Sequence, residues 1–317
     1  GRHRSPGDCG HTQTMSVLQI RRLGNTRDQL GESPYWDGAT QSLGWVDGLA
    51  ATLHRYWPDS GRHEAHSLPA PVGSVAPCRS GAVVVALHHT LARLDLATGA
   101  LQTMATLELG PPQVRLNDGK CDPWGQLLVG SMHSGRRPDE PALGALYRLR
   151  CDGVVEMLAD GFGVTNGPCF SPDGATLYLA DTPARTLWAW DYTPDGPLTG
   201  RREWAQTEAL GSGPDGATVD AAGFLWTPLV RTGQLARFAP DGQLDRLLDL
   251  PATHPTSLCI GGTDLRTAYI TSISRSTHLV GDRPDDGGLF ELRGLPVPGL
   301  PAQRFDDRLW SVAAQSG

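Results

Sequence analysis

The feature of this sequence that most limits its possible folds is a weak internal repeat. Each unit reads as an apolar stretch, a tight turn and a second apolar stretch, and the units follow one another at intervals of 41 to 49 residues. The six turns are centred on Gly38, Gly81, Gly125, Gly174, Gly223 and, in the last unit, Asp264. Regular spacing over nearly the whole chain indicates one repeated structural unit.

Every unit continues with a second pair of apolar stretches, most of them joined by Asp-Gly, Thr-Gly or Ser-Gly turns, which are typical of β-hairpins. About four strands in a repeat of about 40–50 residues are typical of a propeller blade. We therefore predict an all-β fold, a six-bladed β-propeller with four antiparallel strands per blade. Residues 16–23 are expected to supply the outer strand of the last blade and close the ring. The alternative is a β-sandwich or two unrelated β domains, which would not require six regular units.

Length and composition agree with one large β domain. Among 317 residues there are 39 glycines and 25 prolines, spread along the chain as many short strands and turns require. No linker or break in composition divides the sequence, so residues 15–317 are expected to form a single propeller. Residues 1–14 precede Met15 and lack an apolar signal region, and we interpret them as an upstream or artificial leader that is disordered.

Charge and cysteine content narrow the possible partners. The net charge of -7 argues against a nucleic-acid partner and against binding to an anionic membrane. No apolar run approaches the length that spans a bilayer. The six cysteines form no C-x-x-C pair, which favours reduced thiols in a cytoplasmic protein. A monomer or weak homo-oligomer is expected.

Polar residues recur at one position of the repeat, just before the first strand of a unit. Asn117, Asn166 and Asp215 lie eight residues before the turn, and Glu32 lies six residues before Gly38. Equivalent positions of different blades meet at the axis of a propeller, so the sequence predicts that these side chains converge in the central channel. Two facing carboxylates are costly unless a cation neutralises them. Such oxygen donors suit one divalent metal ion, calcium first, with magnesium, manganese, zinc or iron(II) as alternatives.

These residues also have plainer interpretations when each is taken alone. Asn166 and Asp215 both precede a glycine, as turn residues commonly do. Arg115 lies two residues before Asn117, on the same face of an extended segment, where its guanidinium could hold a substrate carboxylate or hydroxyls. It could equally form a surface salt bridge, for example to Asp118. The shared register across blades is what favours a functional site.

Several motifs together resemble one known family. The chain resembles the gluconolactonase and senescence-marker-protein family, the regucalcin-like sugar lactonases. The motifs run in family order and include LGESPYWD (30–37), RLNDGKCDPWGQLLVGSM (115–132), GVTNGPCFSPDGATLYLADT (163–182) and DGATVDAAGFLW (215–226). Each motif is weak alone, but together they are specific.

The resemblance implies a metal-dependent hydrolase that opens an aldonolactone to the aldonic acid. It implies that the metal ligands are Glu32, Asn166 and Asp215. Asp215 is also the expected general base, because a carboxylate beside a cation stays ionised at neutral pH. The cation would polarise the lactone carbonyl and lower the pKa of a bound water. No G-x-S-x-G motif is present, so a serine-esterase mechanism is unsupported.

The resemblance further implies that Arg115 and Asn117 contact the substrate. In some family members a glutamate in the loop after the G-[ST]-M strand also binds substrate. The matching position here is Ser134 or Gly135, so that contact is absent or replaced, with His133 as the candidate replacement. This departure leaves the identity of the lactone open.

Two other functions compete with this prediction. One is a different metal-dependent esterase or phosphotriesterase similar to the paraoxonases. The other is a non-catalytic, calcium-binding regulatory propeller or a scaffold for protein partners. A scaffold would not need the polar cluster in the channel, which favours an enzyme.

Overall fold

The computed structural model describes residues 18–69 and 71–311, and its regular structure is almost entirely β-strand. Within these residues, 24 strands form six sheets of four antiparallel strands each. Each sheet is one blade, and the innermost strands of neighbouring blades contact one another in a closed ring. The predicted six-bladed β-propeller is therefore confirmed.

The first three blades follow the chain in order. Blade 1 comprises β2 (Gly31–Asp37), β3 (Ser42–Asp47), β4 (Thr52–Trp57) and β5 (Arg62–Ser67). Blade 2 comprises β6 (Val72–Pro77), β7 (Val83–Leu87), β8 (Thr90–Leu94) and β9 (Leu101–Thr106). Blade 3 comprises β10 (Val114–Cys121), β11 (Leu127–His133), β12 (Gly144–Leu149) and β13 (Val155–Phe162).

The last three blades complete the ring. Blade 4 comprises β14 (Thr165–Phe170), β15 (Thr176–Asp181), β16 (Thr186–Asp191) and β17 (Thr199–Gln206). Blade 5 comprises β18 (Thr218–Val219), β19 (Leu225–Leu229), β20 (Gln234–Phe238) and β21 (Leu244–Asp249). Blade 6 comprises β22 (Pro255–Gly261), β23 (Thr267–Ser272), β24 (Leu289–Arg293) and β1 (Gln19–Leu23). A 3-10 helix (Glu208–Leu210) and a short helix α1 (Arg308–Ser311) are the helical elements described.

Strand β1 closes the ring, as the sequence predicted. It pairs antiparallel with β24, from Gln19 opposite Arg293 to Leu23 opposite Leu289. Blade 6 is thus built from both ends of the described chain. The single-domain interpretation of residues 15–317 stays a prediction, and the leader assigned to residues 1–14 lies outside the described residues.

The hydrophobic core lies between neighbouring blades. Val46 and Leu53 of blade 1 pack with Val75 and Val85 of blade 2, and all four side chains are buried. Each such side chain contributes about 1.5–3 kcal/mol relative to an exposed one. Outer strands such as β21 alternate between exposed and half-buried residues, because only one face of them meets another blade. This alternation explains why the inner strands read as apolar runs and the outer strands do not.

Two further expectations concern the state of the cysteines and the absence of a membrane-spanning segment. Five cysteines in the described part of the chain are free, and those in the interior are Cys78, Cys121, Cys169 and Cys259. The redox state expected for these thiols stays a prediction, and Cys9 lies outside the described residues. No helix among residues 18–69 and 71–311 is both long and apolar enough to cross a bilayer.

Glycine at position 167 lets two inner strands approach each other closely. Its φ of +54° is in the left-handed region, and a Cβ there would lie 2.5 Å from the backbone nitrogen of Ala217 in blade 5. Gly167→Ala is therefore expected to lower the free energy of unfolding by about 3 kcal/mol, from overpacking plus backbone strain. Thermal unfolding would show this as a midpoint several degrees lower. Gly38→Ala is the matched control, because Gly38 has no positive φ and open space around it; equal midpoints for the two variants would contradict the prediction.

Candidate functional site

The inner strands carry the predicted site residues at one end of the channel. Directly after Glu32 in β2 and after Asn166 in β14, the strand register shifts by a β-bulge. Strand β10 has the same irregularity between Leu116 and Gly119, which includes Asn117. A bulge re-aims side chains locally and is common beside functional sites. The repeated bulge explains why these polar residues leave the regular alternation of their strands.

Five of the six residues predicted for the site line one cavity of about 460 Å³. They are Glu32, Arg115, Asn117, Asn166 and Asp215, contributed by blades 1, 3, 4 and 5. Glu32 and Asp215 are more than 180 positions apart in the sequence, yet they line the same cavity. The structure brings these side chains together, and their individual roles stay predictions.

His133 is not among the residues that line this cavity. It is the last residue of β11, and the preceding residue, Met132, lines the cavity instead. Neighbouring residues of a strand face opposite sides, so Met132 and His133 cannot both point inward. The proposed replacement of a substrate-binding glutamate by His133 therefore gains no support from the cavity.

Hydrogen bonds fix the two amide side chains. Asn117 Nδ2 donates to the backbone oxygen of Thr165 (2.9 Å) and to Asn166 Oδ1 (3.0 Å). Asn166 Nδ2 donates to Thr182 Oγ1 (2.8 Å). With both nitrogens engaged, the amide oxygens are the atoms left for a ligand, and a carbonyl oxygen has a second lone pair to offer.

Arg115 also takes part in this network. Its Nη1 donates to Asn117 Oδ1 (3.2 Å) and to the backbone oxygen of Leu116 (3.0 Å). No ion pair joins Arg115 to Asp118 in the described part of the chain, so the alternative of a salt bridge between them is wrong. Burial lowers the pKa of Arg115, and the charge of Glu32 opposes that shift. The guanidinium is thus held inside the cavity, near a carboxylate.

Two carboxylate oxygens in the cavity are buried and have no hydrogen-bond partner among the residues that the structure describes. They are Glu32 Oε2 and Asp215 Oδ1. Burial raises the pKa of Glu32 well above its ordinary value, and the charges of Asp215 and Asp118 raise it further. Burial, followed by the charge of Asp118, also raises the pKa of Asp215. Buried, mutually repelling carboxylates with unpaired oxygens are suited to a divalent cation, which would satisfy both.

The donor set is composed of oxygen atoms. Two carboxylates and the amide oxygens fit a hard cation that accepts carboxylate, carbonyl and water ligands. No group of three His, Cys, Asp or Glu side chains is arranged to hold a metal within residues 18–69 and 71–311. A cation in this cavity would therefore depend on Asn166 as well as on Glu32 and Asp215.

Asp118 is a structural carboxylate that the sequence analysis named only as a salt-bridge partner. It is buried and accepts hydrogen bonds from the backbone nitrogens of Gly119 (2.9 Å) and Gly167 (2.8 Å). The second bond joins blade 3 to blade 4, one residue after Asn166. Burial raises the pKa of Asp118, while nearby Lys120 opposes that shift. No pattern in the sequence identifies this role, because the bulge in β10 determines where the side chain points.

Other cavity-lining residues were missed as well. Thr182 and Arg185 lie in the turn after β15, Arg231 lies in the turn after β19, and His278 lies in the long connection between β23 and β24. The second strand of each blade ends at the rim where the first strand begins. Arg185 lies 11 residues after Gly174 and Arg231 lies 8 residues after Gly223, so no shared position of the repeat identifies both.

Comparison with known proteins places the chain in a family. Residues 30–274 match the model of the SMP-30/Gluconolactonase/LRE-like region. A 6-deoxy-6-sulfogluconolactonase from Pseudomonas putida is 36% identical over 280 residues, which is 87% of this chain and 94% of that protein. Regucalcin from Gallus gallus is 34% identical over 297 residues, which is 92% of this chain and 99% of that protein.

A solved structure agrees with these matches. It is regucalcin from Agrobacterium tumefaciens, described as a calcium-binding protein, with a TM-score of 0.83 and 30% sequence identity. The similarity covers 91% of this chain and 97% of that one. The resemblance inferred from the motifs is confirmed, and the chain belongs to the SMP-30/gluconolactonase/LRE-like family.

Proposed function

We propose that this protein hydrolyses sugar-acid lactones, and that Glu32, Asn166 and Asp215 hold a divalent cation for this reaction. The prediction of a lactone-hydrolysing enzyme is supported by the family and by its relative named 6-deoxy-6-sulfogluconolactonase. The observation that carries the metal proposal is the pair of buried, unpaired oxygens on Glu32 and Asp215, in the cavity that Asn166 also lines. Calcium is the expected ion, in line with the relative described as calcium-binding.

The cavity residues have distinct roles in this proposal. When bound, the cation supplies Lewis acidity at the lactone carbonyl. Asp215 also acts as the general base that takes a proton from the attacking water. Arg115 and Asn117 orient the sugar hydroxyls, and because they are already hydrogen-bonded to each other they need little reorganisation.

Two alternatives remain to be separated from this function. A paraoxonase-like enzyme would prefer aryl esters or phosphotriesters, and a regulatory calcium-binding propeller would turn over none of these compounds. The polar side chains that surround the candidate cation residues favour an enzyme. A cytoplasmic location, a monomeric or weakly oligomeric state, and the lack of nucleic-acid and membrane partners stay predictions.

The test measures lactone hydrolysis by the full chain after the metal has been removed and again after metal has been added back. Chelation is expected to lower kcat/KM for an aldonolactone at least about 100-fold, because both the carbonyl activation and the fixed carboxylate geometry are lost. Calcium, magnesium, manganese, zinc and iron(II) are then added back separately and assayed with aldonolactones, aryl esters and phosphotriesters. Full turnover by the chelated protein would contradict the metal role, and a preference for aryl esters would contradict the substrate class.

A further inference from the structure

Three arginines line the candidate site cavity, and the proposed chemistry uses only Arg115. The other two, Arg185 and Arg231, belong to the turns that follow the second strands of the adjacent blades 4 and 5. Arg231 and His278 are exposed to solvent, whereas Asp215 is buried. The cavity therefore has carboxylates at its deep end and basic side chains at its mouth.

Arg185 occupies a backbone position that ordinarily favours glycine or asparagine. Its φ is +52°, and the turn is fixed by hydrogen bonds from Arg185 N to Thr182 O (3.1 Å) and from Thr207 N to Arg185 O (2.9 Å). Ala51, at the equivalent turn of blade 1, has a φ of +50°, so this conformation belongs to the blade turn, and in blade 4 the turn places Arg185 at the cavity. Its ion pair with Glu208 (3.1 Å) is weak, because the Glu208 side chain is 72% exposed and the charges are screened by water.

Arg231 has a fixed backbone and a side chain that is unpaired in the described part of the chain. Its backbone nitrogen donates to the Oγ of buried Ser212 (2.9 Å), which ties the turn to the segment that leads to Asp215. Within residues 18–69 and 71–311, no side chain or backbone group pairs with the Arg231 guanidinium. An arginine in this setting offers a planar fork of donors to a ligand in the cavity.

The acidic residues that line the cavity are not available as ion-pair partners for Arg185 and Arg231. Glu32 and Asp215 are the carboxylates among the described lining residues, and both belong to the proposed cation site. With a neutral sugar lactone, the solvent-exposed Arg231 guanidinium would make no charge-assisted contact with the substrate. An anionic substituent on the substrate would supply one and would also be attracted toward the cavity mouth.

We infer that the preferred substrate is an aldonolactone with a second, anionic group at the end of the sugar remote from the lactone carbonyl, and that Arg185 and Arg231 bind this group. A sulfonate, a phosphate or a carboxylate would each match the guanidinium fork. The inference rests on the proposed lactonase function. Beyond that function, it specifies that the substrate is anionic and that Arg185 and Arg231 select it.

The test compares glucono-1,5-lactone with matched lactones that carry a sulfonate, a phosphate or a carboxylate at carbon 6. The wild-type protein is expected to show at least tenfold higher kcat/KM with one or more of the anionic lactones. Arg231→Gln is expected to lower the ratio of anionic to neutral kcat/KM about tenfold, with a smaller loss in Arg231→Lys. Higher ionic strength should lower the same ratio in the wild type. Arg246→Gln, on the outer strand β21, is the control and should leave the ratio unchanged.

Binding of the ring-opened acids gives a second readout that needs no turnover. Calorimetry should show that the dianionic acids bind the wild type more tightly than gluconate does, and that Arg231→Gln removes most of this difference. A ratio unchanged in Arg231→Gln, or a neutral lactone hydrolysed faster than every anionic one, would overturn the inference while leaving the lactonase function intact. If no lactone is hydrolysed, the proposed function fails, and the binding comparison alone decides the role of Arg231.

Discussion

Asp215→Asn is expected to lower kcat for lactone hydrolysis about 10³-fold while the propeller remains folded. Asparagine keeps the size of the side chain, and the hydrogen bond from the backbone nitrogen of residue 215 to Pro228 O is unaffected. It cannot accept a proton from water at neutral pH, and general-base catalysis typically contributes about 10²–10⁴-fold. Stopped-flow or pH-indicator assays of lactone opening measure kcat, and far-ultraviolet circular dichroism with thermal unfolding checks the fold.

The control for this variant is Asp241→Asn. Asp241 is an exposed turn residue between β20 and β21 whose carboxylate accepts a hydrogen bond from Gln243 N (3.0 Å). Its replacement should leave kcat within about twofold of the wild type, since it is remote from the cavity. A kcat for Asp215→Asn within tenfold of the wild type would exclude Asp215 as the general base.

Glu32→Gln is expected to have opposite effects on function and on stability. Metal affinity and kcat/KM should each fall at least about 100-fold, because one of two charged donors is lost. The metal-free variant should nevertheless be more stable than the metal-free wild type at neutral pH, by about 1–3 kcal/mol, because a buried carboxylate with an unpaired oxygen is removed. In chelator, Glu32→Gln should unfold at a higher temperature than the wild type. In saturating metal, it should unfold at a lower temperature than the wild type.

The pH dependence of this difference follows from the raised pKa of Glu32. A carboxyl group whose pKa is higher in the folded state binds more protons there, so the metal-free protein loses stability as the pH rises above the unfolded-state value of about 4.3. The stability gained by Glu32→Gln should thus be small near pH 4 and larger near pH 7. Glu203→Gln, on the exposed face of β17, serves as the control and should show no such trend. A metal-free Glu32→Gln protein less stable than the wild type at pH 7 would refute the account of the cavity as a strained carboxylate pair.

The repeat allowed the fold and the convergence of site residues to be predicted from the sequence. Equivalent positions in a ring must meet at the axis, so Glu32, Asn166 and Asp215 could be placed together without coordinates. The family, too, was identified from motifs. The role of His133 stays a prediction, because His133 ends β11 and the residue of that strand end that lines the cavity is its neighbour Met132.

Other parts of the site depend on tertiary geometry that the sequence does not reveal. Asp118 follows Asn117 directly, and regular alternation would turn them to opposite faces. The bulge in β10 lets Asp118 hold Gly167 of the next blade, and that bulge has no clear sequence pattern. The free guanidinium of Arg231 is likewise visible only once its turn and its neighbours are in place.

The pairing of β1 with β24 has a consequence for how the chain folds during synthesis. Leu23 leaves the ribosome long before its partner Leu289, and at about 5–20 residues per second the wait is on the order of tens of seconds. During that time β1 has no sheet to join, and an unpaired strand is prone to pair with other chains. Arg21 and Arg22 place two positive charges on this unpaired strand. These charges discourage pairing of β1 with other chains until blade 6 is complete.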